Sequence, residues 1–384
     1  GAMGLSTSRA STHIRPDGGP VASRIGNWHE IEVLVDAMAE LNAGIFQIGP
    51  DVSGGVAQRA FMEELRKIAV GSGRPVMFGT LSTSQGDNPN PWTYQYEWME
   101  EVVAAGARVF GQGTTKSINA IFSAKSYLPF DFLPTWNEIR ALSLAEQKVR
   151  FQDPELRARL VAEEAGMKPK GTDFQGGGAA TTDPRKPDYA NIFPMFDIKW
   201  DDPSIADLSK ARGQGPVEVM MDLIIENEDL AFVQPLVNEK PDDVLGMLKN
   251  PRTLATFSDS GAHVCQEMGS SLQTHMLSYW VRQREAFTLE EAVRKLTFDN
   301  ASAWEMHDRG LIRTGMNADI VVFDADAIQP RLPTVETDLP GGARRLVQKA
   351  DGIAATIVNG AVTLEHGEAT GALPGHVIKG ALAG

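Results

Sequence analysis

A chain of 384 residues with 36 basic against 50 acidic side chains, a formal charge of −14, lacks the positive surface that a phosphate backbone requires, which excludes nucleic acid as a partner. With 42% apolar and 22% charged residues it is a globular protein with a sizeable core, and at ~150 residues per domain its length suits two or three domains. No run approaches the ~18 apolar residues of a membrane span, no signal peptide opens the sequence, and the single Cys265 leaves neither a disulfide framework nor a thiolate zinc cluster, so a soluble, cytoplasmic protein acting on small molecules is expected, without a membrane partner and with oligomerisation open.

Gly1 is not a translational start, so Gly1-Ala2-Met3-Gly4 is either a scar of tag removal or the interior of a longer sequence. Residues 28–43 place Ile31, Leu34, Val35, Met38 and Leu41 at helical spacing, Gly44 stops that helix, and 45–48 reads as a short buried strand. A helix from Val56 leads to a strand at 75–79, and a third helix at 94–105 leads to a strand at 108–110. Strands beginning near 45, 76 and 108 lie 31 and 32 residues apart, and strand alternating with amphipathic helix predicts parallel strands with right-handed crossovers. An open doubly wound sheet would want a glycine fingerprint, and Gly111-Gln112-Gly113-Thr114 is only a lone GxG. A (β/α) barrel is the expected fold.

Residues 142–165 are charged and helical, with Asp153-Pro154 starting a new helix. The glycine-rich stretch 171–187 is either a solvated insertion or a lid over a site at the barrel mouth. Residues 216–225 and 241–249 read as helices, and 253–257 as a strand running directly into Ser258-Asp259-Ser260-Gly261-Ala262-His263. After helices at 272–284 and 289–306, short strands at 318–323, 353–358 and 361–364 appear, with the hairpin turn Asn359-Gly360 between the last two. A small β domain therefore follows the barrel.

None of the seven histidines falls between His29 and His263, and the chain has no HxH, HExxH or CxxC, no GxSxG elbow and no Walker loop. Cys265 reads as a small apolar residue more readily than as a nucleophile. Asp259 is the strongest single candidate: it follows a strand, where barrel enzymes place catalytic groups, and its neighbours Ser258, Ser260, Gly261 and Ala262 are small. On these residues alone a helix-capping aspartate fits as well as a catalytic one. His263 could orient it or a substrate, or be satisfied locally. Arg9 and His13, in the polar opening loop, are candidates for binding an anion.

The stretch Thr256 to Val264, TFSDSGAHV, resembles the SDxGAH segment of the amidohydrolase superfamily, in its N-acyl-D-amino-acid deacylase (D-aminoacylase-like) branch. Residues 308–324, DRGLIRTGMNADIVVFD, resemble the passage by which these chains leave the barrel. Residues 338–346 and 371–375 are similar to the same branch, and residues 1–9 to an interior barrel segment. The likeness implies the C-terminal two-thirds of a full-length member: an incomplete (β/α)8 barrel of the metal-dependent hydrolase type over 1–312, with an insertion near 171–187, then a β-sandwich portion over 313–384.

In that family a divalent metal, usually zinc, activates water against the amide carbonyl of an N-acylated substrate. The resemblance assigns Asp259 as metal ligand and as the general base that hands the proton to the leaving amine, with Arg9, His13 and His263 as substrate contacts. Two departures stand out. The family's first-strand HxH is absent, and the strands that should end in metal-binding histidines end near Gln47 and Thr80. The chain by itself is therefore expected to be inactive. A noncatalytic amidohydrolase-like scaffold, or one subunit of a split barrel, is the alternative.

Overall fold

The computed structural model describes residues 1–10, 13–15, 17–50, 55–83, 92–167, 186–197, 202–258, 260 and 270–380. The parallel sheet is built from β1 (Gly4–Ser8), β2 (Ile45–Gly49), β3 (Val76–Gly79) and β4 (Val109–Gly113). The chain then leaves it for β5 (Ile118–Ser123), β6 (Phe193–Pro194) and β7 (Ala231–Val237), and returns as β8 (Thr253–Ala255). The sheet order is β1-β2-β3-β4-β8, every pair parallel. Among the described residues β1 and β8 are its edges, so the expected barrel is present as this five-stranded parallel sheet and not as a closed ring.

Period-two alternation gives the sheet two different faces. Phe46, Ile48, Val76, Phe78 and Val109 join Ile31 and Val35 of helix Trp28–Glu40, Leu65 of helix Gly55–Ser72 and Met99 of helix Tyr94–Ala104 in one large core. The expected stripe on the first of these helices is wider than what is buried. Leu34 stays 47% exposed and Leu41, past the helix end, 60%. The opposite face carries Ile45, Met77 and Leu254, packed with Phe110 and Trp304, as an apolar floor. Two residues further along each strand, on this same face, come Gln47, Gly79, Gln112 and Thr256, with Ser6 of β1 in register with Gln47.

Gly79 has a steric reason. A Cβ there would sit 2.8 Å from the Gln112 Cβ and 3.3 Å from its Oε1, so no side chain fits while Gln112 stands where it does. Gly79→Ala is expected to lower stability by about 1–3 kcal/mol through overpacking, read from urea unfolding. An unchanged midpoint would show that Gln112 moves aside freely.

The excursion between β4 and β8 forms a second centre that the sequence reading did not resolve. β5 and β7 pair antiparallel, β6 adds to the other edge of β7, and helices Pro134–Arg140, Leu144–Arg150, Pro154–Ala165, Ile205–Arg212 and Pro216–Glu226 close over them. Its core holds Phe130, Trp136, Phe151, Leu160 and Phe232, each with essentially no exposure. The helical reading of 142–165 holds as two helices, the second capped by the Asp153 carboxylate, which accepts the Glu155 amide at 3.0 Å.

Further on, the expected helix at 289–306 is broken at Thr297 (φ −122°, ψ −81°). The C-terminal part is β-rich: Ile320–Phe323, Ile353–Val358, Ala361–Glu365 and Glu368–Ala369 form one antiparallel sheet, beside two separate two-stranded ladders. Asn359 and Gly360 both take positive φ, 46° and 80°, as the expected hairpin turn demands.

Candidate functional site

Parallel strands of a barrel-type sheet present their C-terminal ends at one rim, where sites form in this architecture. Above the apolar floor this rim carries a row of hydrogen-bonded neutral side chains. The Ser6 hydroxyl donates to Gln47 Oε1. Gln47 Nε2 donates to Gln112 Oε1 at 3.2 Å, passing over the space left by Gly79. Gln112 Nε2 donates to Thr256 Oγ1 at 3.4 Å. The row thus crosses the sheet from β1 to the end of β8.

The loops beyond β3 and β4 are pinned by buried polar groups. Asn238, 1% exposed just after β7, accepts the Thr83 amide (2.7 Å) and hydroxyl (3.1 Å) on Oδ1. Its Nδ2 donates to the Leu81 carbonyl (3.2 Å) and the Thr114 hydroxyl (3.0 Å). The next residue, Thr115, donates its hydroxyl to the Leu272 carbonyl at 2.7 Å, and its own carbonyl accepts Trp280 Nε1 at 2.6 Å. These bonds fix the backbone that carries Lys116. Burial pushes the Lys116 ammonium down to about 8. Burial first, and the nearby Lys116 charge second, hold the His275 imidazole well below its usual range and therefore neutral. His275 is 3% exposed, its ring stacked on Tyr279 at 4.9 Å.

Both shifts are downward, so between folded and unfolded values the unfolded chain binds more protons and stability rises with pH. For His275 the window lies below 6.5, and for Lys116 between about 8 and 10.5. Lys116→Met is accordingly expected to raise the melting temperature at pH 7, with the gain shrinking toward pH 10.5. A gain that does not change with pH would show that Lys116 titrates alike in both states.

Of the residues singled out in the sequence, Asp259, His263 and Cys265 lie outside the described residues, as does 171–185 of the glycine-rich stretch. What leads into Asp259 is described. The Phe257 amide donates to the Gly113 carbonyl at 3.1 Å, tying the exit of β8 to the end of β4. The Ser260 amide donates to Ser258 Oγ at 3.2 Å, and its hydroxyl to Ser270 Oγ at 3.1 Å. Arg9 follows β1 at the same rim, its amide donating to the Gly49 carbonyl at 2.9 Å. Its guanidinium donates to the Gly26 carbonyl at 2.7 Å and lies 5.1 Å from the centre of the Trp28 ring. His13 is exposed, and its carbonyl accepts from Arg24 at 3.2 Å.

Sequence reasoning passed over Gln112, Lys116 and Asn238. Gln112 was visible only as the middle of an unconvincing GxG, and nothing local marks a lysine or an asparagine as buried. As to a metal, among the described residues no group of three or more His, Cys, Asp or Glu side chains is placed to hold one. At the two strand ends where histidines were expected stand Gln47, engaged on both sides, and Thr80, whose hydroxyl reaches the Leu81 carbonyl at 3.4 Å. The described rim does not fit a two-metal centre.

Residues 29–364 match the Amidohydrolase family. Over 58 residues, 15% of this chain and 12% of the relative, the chain is 45% identical to the N-acyl-D-glutamate deacylase of Alcaligenes xylosoxydans xylosoxydans. Over 106 residues, 27% of this chain and 19% of the relative, it is 36% identical to the N-acyl-D-aspartate deacylase of the same organism. Among solved structures, a D-aminoacylase described with a binuclear metal centre superposes with a TM-score of 0.50 at 16% identity, covering 97% of this chain and 61% of that one. The chain thus spans about three-fifths of the D-aminoacylase, and among the described residues no helix is long and apolar enough to cross a membrane. With a family match running over most of its length and a D-aminoacylase-like arrangement of strands, the chain belongs to the amidohydrolase family.

Proposed function

We propose that the protein hydrolyses the amide (C–N, non-peptide) bond of N-acyl-D-amino acids or similar N-acyl compounds. The likeness to two N-acyl-D-amino-acid deacylases carries this reading. Asp259, two residues beyond the β8 backbone tied to β4, takes the proton of the attacking water and delivers it to the leaving amine, work that suits a carboxylate at neutral pH. A divalent metal, zinc foremost, is the cofactor proposed for the whole protein, with Asp259 its one ligand in this chain. Arg9, His13 and His263 are the proposed substrate contacts, cations or donors suited to the carboxylate that every N-acyl amino acid carries.

The test is hydrolysis by the full-length protein of a panel of N-acetyl-D- and L-amino acids, followed by amine release. Cleavage of the D series supports the proposal. Binding without cleavage would favour the noncatalytic scaffold, a reading to which the neutral row Ser6, Gln47, Gln112 and Thr256 lends support. Arg9→Ala is expected to raise KM several-fold with kcat little changed. A lowered melting temperature with KM unaltered would confine Arg9 to its bond with Gly26 and its seat on Trp28.

A further inference from the structure

We infer that β2, β3 and β4 contribute no metal ligand, so that the site accepts at most one divalent ion, held by residues outside these three strands. The inference rests on family membership and strand geometry, independently of which substrate is cleaved.

Three observations carry it. On β2, Gln47 has both ends of its amide occupied, Oε1 by the Ser6 hydroxyl and Nε2 by Gln112. On β4, Gln112 accepts from Gln47 and donates to Thr256, and is 9% exposed. On β3, the position level with them is Gly79, and a Cβ there would press against Gln112 at 2.8 Å. No ligand can occupy that position without displacing the glutamine. Turning Gln47 alone would set oxygen against oxygen and turning Gln112 alone nitrogen against nitrogen, so the pairing locks the two amides relative to each other, and in either sense both ends of each amide stay occupied. Zinc selects imidazole, thiolate or carboxylate, and an amide oxygen already accepting a hydrogen bond is a poor substitute. The room for a second ion is thus filled by a neutral row that does not change charge with pH.

The experiment uses the full-length protein, stripped with a chelator, dialysed against excess zinc, desalted and analysed for metal by mass spectrometry. The expected content is no more than one zinc per chain, unchanged in Gln47→Met and Gln112→Met, which keep the side-chain length and remove the amide. Two zinc ions per chain, or loss of zinc in either variant with its circular dichroism intact, would overturn the inference. The wild-type count decides the matter even if a variant does not fold. Metal content is read without turnover, so a failure to hydrolyse any N-acyl amino acid leaves the result standing.

Discussion

Asp259→Asn is expected to abolish amide hydrolysis in the full-length protein. An amide side chain has almost no affinity for a proton at neutral pH, and it bears no charge with which to hold a cation. Proton transfer by a positioned side chain is worth about 10²–10⁴-fold, so kcat on the best N-acyl-D-amino acid should fall by at least that much. The substitution preserves size and shape, and the residues on either side are held by bonds that do not involve position 259: Phe257 to Gly113, and Ser260 to Ser258 and Ser270. The fold should therefore survive, which circular dichroism checks. Unchanged kcat would remove Asp259 from the chemistry and return it to the reading of a helix-capping aspartate.

Trp280→Ala should be the most damaging single change to the folded state. Trp280 is 1% exposed, its ring meets Tyr279 edge-on at 4.8 Å, and its indole N–H donates to the Thr115 carbonyl at 2.6 Å. Removing a buried tryptophan costs about 3–5 kcal/mol, and the Thr115 carbonyl, left without its donor, adds about 1–3 kcal/mol. Urea unfolding measures the sum. Trp280→Phe separates the parts, because it keeps most of the apolar volume and loses only the N–H. Since Thr115 precedes Lys116, the same substitution loosens the backbone that buries the lysine, and the Lys116 pKa should climb back toward 10.5. A loss below about 1 kcal/mol would mean that the loop closes around the vacancy.

The sequence by itself determined the order of strands and helices in the parallel sheet, because local signals suffice for that. Buried strands near 45, 76 and 108 with amphipathic helices between them stand where expected, and Asn359-Gly360 takes the two positive φ values that a two-residue turn needs. Family membership was equally legible, since TFSDSGAHV and the passage 308–324 are contiguous motifs. The region of β1 was noticed only through the likeness of residues 1–9 to an interior barrel segment, and the strand itself was not read. The antiparallel strands β5 and β7 were not seen at all, because each gains its meaning from a partner more than a hundred residues away.

Only the tertiary structure decided what the rim is made of. Ser6 and Gln47 are 41 positions apart, Gln47 and Gln112 are 65, and Gln112 and Thr256 are 144, so no local pattern could join them. Parallel register does so by setting the same face of each strand at one height, and Gly79 leaves the gap through which the two amides meet. Lys116 and His275 likewise acquire lowered proton affinities only when strand ends, loops and the helix after β8 close around them. Local sequence can specify where a strand begins, but long-range burial sets the charge of a side chain.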